Sequence, residues 1–417
     1  MRKNFLLLHR YAGLGMTLFL IIEGLTGSLL AFYPELVRLA NPHWYTDRLP
    51  DTWLNAGTLA NRIESDDARL QITQVELVGW DGATDAWVEP RTDPSTGATY
   101  KLDFNRLILD PSTGTVLDRI DSGSLGEHWS NIMGFVYDIH YSLALGMNGM
   151  WILGLTALIW TLDCFVGFYL TFPVRSTSPP RAAPSPSGSG VKRWWARWKQ
   201  AWKIRWKAHR FKMNFDLHRA GGLWLWGMLL VFAWSSVEMN LWDTVYTWAT
   251  RAVFDYRPPW NALQPLSAPV EHPLLGWIQA QAIGEQLMAE QATQHGFSVK
   301  REIALRYDPE LGVYTYQVES NREIDDRPRR YTTQVSFDGN SGGLKLLLLP
   351  MGQHTGNTVS NWLYALHMAN VFGLPYRIFV CALGLIIIML AVTGIYIWWK
   401  KFRSRRISAA RRLAAAR

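Results

Sequence analysis

Four long apolar runs divide the 417-residue chain, at residues 11–33, 148–172, 220–242 and 376–399. Each is close to the ~20 apolar residues that a helix needs to cross a bilayer, where only a helix or a closed barrel satisfies its own backbone groups. The pattern predicts four transmembrane helices. Arg2 and Lys3 precede the first run. That run is longer than the apolar core of a signal peptide, and no small-x-small cleavage site is evident before Pro34, so a retained anchor is expected.

The stretches between the runs carry other periods. Residues 70–80, 86–89 and 100–119 alternate polar and apolar positions as half-buried strands do, and 55–64 fits a short helix. Asp110-Pro111-Ser112-Thr113-Gly114 punctuates the third stretch as a hairpin turn. The second outer segment repeats the plan, with a helix over 277–295, strands over 300–307, 312–319 and 330–337, and the turn Asp338-Gly339-Asn340-Ser341-Gly342. Two small α+β modules are expected. Residues 131–145 and 358–371 are apolar on one side and precede breaks at Gly146 to Gly149 and Gly373 to Pro375, so they predict interfacial helices. A Ser/Pro/Gly-rich linker covers 176–190. After it, Trp195, Trp198, Trp202 and Trp206 recur among Lys and Arg, which predicts one amphipathic helix over 191–215 lying on the membrane surface.

Parts of the chain repeat. Leu8-His9-Arg10-Tyr11-Ala12-Gly13-Leu14 returns as Leu217-His218-Arg219-Ala220-Gly221-Gly222-Leu223 with five of seven positions matched, and Tyr137-Asp138-Ile139-His140 returns as Tyr364-Ala365-Leu366-His367. The expected fold is an α-helical integral membrane protein of two pseudo-symmetric repeats. Its plan is helix 1 (1–33), outer module 1 (34–147), helix 2 (148–172), inner linker and amphipathic helix (173–217), helix 3 (218–243), outer module 2 (244–375), helix 4 (376–399) and a basic tail (400–417).

Charge orients this plan. Residues 174–217 hold eleven Lys/Arg against one acid and 400–417 hold eight against none, whereas 34–147 hold 17 acids against 8 bases and 244–375 hold 12 against 10. Positive loops stay inside, so both termini are expected in the cytoplasm and both modules in the periplasm of a bacterial inner membrane. The net charge of +8 is therefore a basic inner face summed with an acidic outer one and says nothing about nucleic acid, so the expected partner is the lipid bilayer of the apolar runs and no nucleic acid is expected. The two cysteines, Cys164 and Cys381, both lie in apolar runs and offer neither a disulfide framework nor a thiolate metal site.

The repeated histidines are the candidate chemistry. A histidine in a membrane span is costly, and one at a helix end is often only interfacial, but repetition shifts the balance. His9 and His218 fall at the cytoplasmic ends of outward-running helices, while His140 and His367 fall at the outer ends of inward-running ones. Related by an axis along the membrane normal, each pair would face itself across that axis, the arrangement of a bis-His b-type haem. Zinc or copper would want further Cys, Asp or Glu ligands, whereas haem brings four nitrogens of its own. Arg10 and Arg219 suit haem propionates or, equally, positive-inside anchoring. Glu23, Asp163 and Glu238 are buried acids that do not superpose between the repeats, so they count as weak candidates for proton relay or cation pairing. His128 and His354 precede His140 and His367 on the outer side and would suit a substrate contact, or simply be exposed loop histidines.

The chain resembles the PepSY-associated transmembrane-helix family, which includes inner-membrane siderophore reductases of the ferrioxamine reductase type. The resemblance rests on Leu8-His9-Arg10 with Gly13-Leu14 and Thr26-Gly27, on His140-Tyr141-Ser142-Leu143 to Gly146 and its counterpart at His367, on Thr393-Gly394 before Trp398-Trp399, and on Leu109-Asp110-Pro111-Ser112-Thr113-Gly114. It covers nearly the whole chain, and the second turn, at Asp338, departs from it. It implies four helices and two PepSY modules holding two haem b groups on His9, His218, His140 and His367, with electrons passing outward to a ferric siderophore. No flavin or nicotinamide motif is present, so the donor is expected to be a separate quinol or cytoplasmic reductase. The competing reading is a non-redox envelope protein whose modules bind peptides or regulate a protease, with structural histidines.

Overall fold

The structure, a computed structural model, describes residues 1–45, 52–79, 81–122, 129–174, 190–325 and 332–415. The predicted linker over 176–190 lies almost entirely outside the described residues. The chain divides into a helical body, Met1–Leu29 with His140–Trp242 and Ile378–Arg417, and a sheet body, Leu30–Ile139 with Asp243–Arg377.

Among the described residues, three helices are long and apolar enough to cross a membrane: α1 (Arg2–Leu30), α5 (Gly146–Thr171) and α12 (Gly373–Ala415). A fourth candidate is a bent pair, α7 (Arg210–Trp224) and α8 (Trp226–Asn240), which meet at 69° across Leu225. The straight third run expected at 220–242 is therefore broken, and no proline causes it. The indoles flanking Leu225 instead hold separate partners, Trp224 donating to the Trp202 carbonyl (3.1 Å) and Trp226 to the Cys164 carbonyl (2.9 Å). Close approach replaces bulk where helices cross. A Cβ on Gly24 would stand 2.7 Å from the Gly384 carbonyl oxygen, and Ser28 donates to the Cys381 carbonyl at 3.0 Å, so α1 and α12 touch backbone to backbone. Gly154 of α5 accommodates Leu241 just beyond α8 in the same way.

The expected single amphipathic helix over 191–215 is two pieces. Helix α6 (Gly190–Trp198) runs into a 3-10 turn at Lys199–Trp202, and the chain then leaves helical conformation until α7. Trp198 turns inward rather than to lipid, packing on Phe168 of α5 and on Phe172 just past its end, and donating to Thr171 at 3.1 Å. Beyond the break, Arg205 grips the buried carboxylate of Asp216 with two hydrogen bonds of 2.6 and 2.9 Å. The basic tail, expected as a separate segment, continues α12 as helix to Ala415.

The sheet body carries the short helices α2 (Tyr33–Ala40) and α9 (Thr247–Arg251) and joins the two predicted modules into one antiparallel sheet. Its strands are β1 (Leu70–Glu76), β2 (Thr84–Pro90), β3 (Arg106–Leu109), β4 (Val116–Ile120), β5 (Val299–Asp308), β6 (Val313–Ser320), β7 (Thr333–Asp338) and β8 (Leu344–Leu348). The order β4-β3-β2-β1-β5-β6-β7-β8 places the first strand of each module at the seam, with Val75 opposite Leu305. Each module thereby covers one exposed edge of the other, removing an open ladder that would invite foreign pairing. Helices α3 (Ala56–Asp66) and α10 (Trp277–His295) pack over the join and meet where Gly57 abuts the Trp277 carbonyl. One apolar core, including Leu59, Ile72, Val75, Leu107, Leu305 and Phe337, runs through both modules.

Local chemistry accounts for the ends of these elements. The Asn55 side chain accepts from the Thr58 amide at 2.8 Å and starts α3, and Gly296 at φ 63° ends α10. The turns at Asp110 and Asp338 are built alike despite their different sequences. In each, the aspartate accepts from the amides two and three residues on, and a glycine with positive φ closes the turn. Those amides hold the Asp338 carboxyl down to about 2.

Candidate functional site

His9 on α1 and His218 on α7 come together in the helical body, their ring centroids 6.1 Å apart and the planes inclined at 62°. Each ring is held through Nδ1. His9 Nδ1 lies 2.9 and 3.0 Å from the two carboxylate oxygens of Asp163 on α5. His218 Nδ1 lies 3.0 Å from the Leu390 carbonyl and 3.2 Å from the Thr393 hydroxyl on α12. A backbone carbonyl can only accept, so Nδ1 of His218 carries the proton and Nε2 of the neutral ring keeps its lone pair. The same holds for His9 against a carboxylate.

The rings also rest on glycines. A Cβ on Gly167 of α5 would stand 3.5 Å from His9 Cε1, and one on Gly394 of α12 would stand 3.3 Å from His218 Cε1. The site thus joins four helices, with α1 and α7 supplying the rings and α5 and α12 supplying the acceptor and the flat bed for each.

His140, at the end of α4 (Ile132–Ser142), repeats the construction on α1. Its Nδ1 is 2.8 Å from Thr26 Oγ1 and 3.0 Å from Glu23 Oε2, and a Cβ on Gly27 would stand 3.1 Å from its Cε1. Thr26 spends its hydroxyl proton on the Ile22 carbonyl at 2.8 Å, so its oxygen accepts from the imidazole. His367 is the last residue of α11 (Thr355–His367) in the sheet body and is half-buried.

Other expected residues separate from these. His354 caps the opposite end of α11, roughly 20 Å from His367 along the axis at 1.5 Å per residue, and its Nδ1 pairs with Asp255 at 2.8 Å. His128 lies outside the described residues. Arg219 pairs with Asp216 at 3.0 Å and donates to the Gln200 carbonyl at 2.8 Å, yet its Nε is a buried donor with no partner. Arg10 is half-buried within electrostatic reach of Lys401. Glu238 is fully buried in α8.

Asp163 and Glu23 rank as weak candidates from sequence, and the structure places each on a repeated histidine. The connections that follow His140 and His367 carry another feature that periodicity does not show. Leu143 and Ala144 before α5, and Ala369 and Phe372 before α12, have φ between 54° and 58°, the left-handed region that costs a side-chain-bearing residue about 1–2 kcal/mol.

No three His, Cys, Asp or Glu side chains converge as a bare metal-ion cluster among the described residues. The chain has no match among curated proteins. The family model of the PepSY-associated TM region matches residues 6–401, nearly the whole chain, and the protein belongs to that family.

Proposed function

We propose that the protein is a di-haem b reductase of the bacterial inner membrane, passing electrons from the cytoplasmic side to a periplasmic ferric siderophore. The observation that carries this reading is the His9–His218 pair. A metal–imidazole bond is about 2 Å and a ring centroid lies about 1 Å behind its nitrogen, so two imidazoles that shared one iron would have centroids about 6 Å apart or less. The separation in the structure is 6.1 Å, with the planes inclined at 62°. Both rings are anchored through Nδ1 in the manner of metal-ligating histidines, whose second nitrogen is almost always hydrogen-bonded. Pairs without a third ligand suit a macrocycle that completes the coordination itself. The unpartnered Nε of Arg219 suits a propionate.

A second haem takes His140 and, on the sequence repeat alone, His367. In this reading α7 and α8 together form the fourth span, the two halves are pseudo-symmetric repeats, and the basic segments put both termini in the cytoplasm. A bis-His haem supplies one-electron transfer without an open coordination position. The chain's own residues hold the rings of His9, His218 and His140 by their Nδ1 atoms. Each ferric ion takes one electron from a separate donor, a quinol or a cytoplasmic reductase. Fe(II) then fits hard oxygen ligands less well than Fe(III) does, and the chelate loosens.

The test is the visible spectrum and pyridine-haemochrome content of detergent-purified protein. Two b haems per chain are expected, with one lost in His9→Ala or His218→Ala. Dithionite-reduced protein should be re-oxidised by a ferric hydroxamate, with ferrous iron captured by a chromogenic chelator. Absence of haem after expression with ample haem supply refutes the proposal. Reduced protein that stays reduced in excess ferric chelate refutes its substrate.

A further inference from the structure

The two rings of the His9–His218 pair differ in what stands behind each, and the difference carries chemistry. His218 donates to a backbone carbonyl and a hydroxyl, both neutral, whereas His9 donates to the two oxygens of a single carboxylate on another helix. His140 also has a carboxylate oxygen, that of Glu23, within hydrogen-bond distance of Nδ1. Asp163 is nine-tenths buried and Glu23 about three-quarters, so water screens neither contact fully. A carboxylate accepting from Nδ1–H draws the proton toward itself and leaves Nε2 a stronger electron donor than a carbonyl does. A stronger axial donor stabilises the ferric over the ferrous state. Among the described residues Asp163 forms its ion pair with His9 alone, and its side chain is turned to that ring, which accounts for an acid in the span.

Resting on the haem reading, the geometry points to Asp163 as a positioning residue that fixes His9, and to Glu23 as a carboxyl group beside His140, each lowering the midpoint potential of the haem that its histidine would hold. The low potentials suit delivery of an electron to a tightly chelated ferric ion, itself a poor oxidant. Asp163 acts on the pair at the start of α1 and Glu23 on the ring beside Thr26, so each potential is tuned by its own acid.

The experiment is potentiometric titration of the full-length protein in detergent, followed by visible and EPR spectra, for wild type, Asp163→Asn, Asp163→Leu and Glu23→Gln. Asp163→Asn keeps an acceptor without charge. It is expected to retain both haems, raise one midpoint potential and leave the other where it was. Glu23→Gln is expected to raise the other. Asp163→Leu removes the acceptor and should weaken haem binding at that site by roughly 10–100-fold, measured by titrating haem into protein expressed without it. A purely structural Asp163 would lose haem or fold without moving a potential at constant occupancy. If wild type and Asp163→Asn both hold two haems with identical potentials and EPR g values, the inference is overturned and the haem reading stands. If wild type holds no haem, both fall.

Discussion

Replacing Glu302 by Gln should stabilise the protein above pH 7 and leave it unchanged below pH 4.5. Glu302 lies on β5, half-buried, and accepts from the Ala56 amide at the start of α3 at 3.0 Å. Burial pushes its carboxyl up from 4.5 to about 7, and the amide of Ala56 offsets only part of that. Below pH 4.5 the folded and unfolded chains both hold the proton. Between 4.5 and about 7 the folded chain holds it and the unfolded chain has shed it, so stability falls as pH rises. Above 7 both are ionised and the loss is complete. At 1.36 kcal/mol per pH unit, the loss over that window is about 3 kcal/mol. Gln keeps an oxygen for Ala56 and carries no charge, so it should recover most of this. At roughly 2–4 °C per kcal/mol for a body of this size, the melting midpoint at pH 8 should rise by several degrees. The assay is intrinsic-fluorescence melting in detergent at pH 4.5, 6 and 8 under matched salt. A gain of equal size at all three values would refute the reasoning, because it would make the effect one of packing rather than ionisation.

Gly394→Leu should cost one haem per chain by haemochrome assay, since a Cβ there already meets His218 Cε1 at 3.3 Å. Ala144→Gly should raise the melting temperature by the equivalent of about 1 kcal/mol, because it relieves a left-handed residue at φ 54°, whereas Leu145→Gly at φ −115° should lower it.

The elements legible in the sequence are those whose signal is local. Asn55 before an apolar-periodic stretch, Asp110 and Asp338 opening turns that end in glycine, and three of the four long apolar runs all appear where the residues stand. Features made by distant partners are not. The seam of β1 with β5 joins residues more than two hundred positions apart, and neither strand differs from an ordinary edge strand. Strand β8, beyond the Asp338 turn, is short and leucine-rich without alternation, so no period marks it. The bend at Leu225 depends on two indoles finding carbonyls on different segments.

The acids are the most instructive case, because the repeat that revealed the histidines concealed them. Asp163 lies four residues before Gly167, the glycine under His9. Four residues before Gly394, the glycine under His218, is Leu390. Compared side chain with side chain, the two positions have nothing in common, and Asp163 reads as an unmatched charge. The structure shows the match: each position supplies the acceptor for its histidine's Nδ1, at one through a carboxylate and at the other through the main-chain carbonyl that every residue carries. A backbone acceptor leaves no mark on the identity of its residue. The acceptor's place is therefore repeated while its charge is not, and charge is the property by which one imidazole can be made a stronger electron donor than its partner.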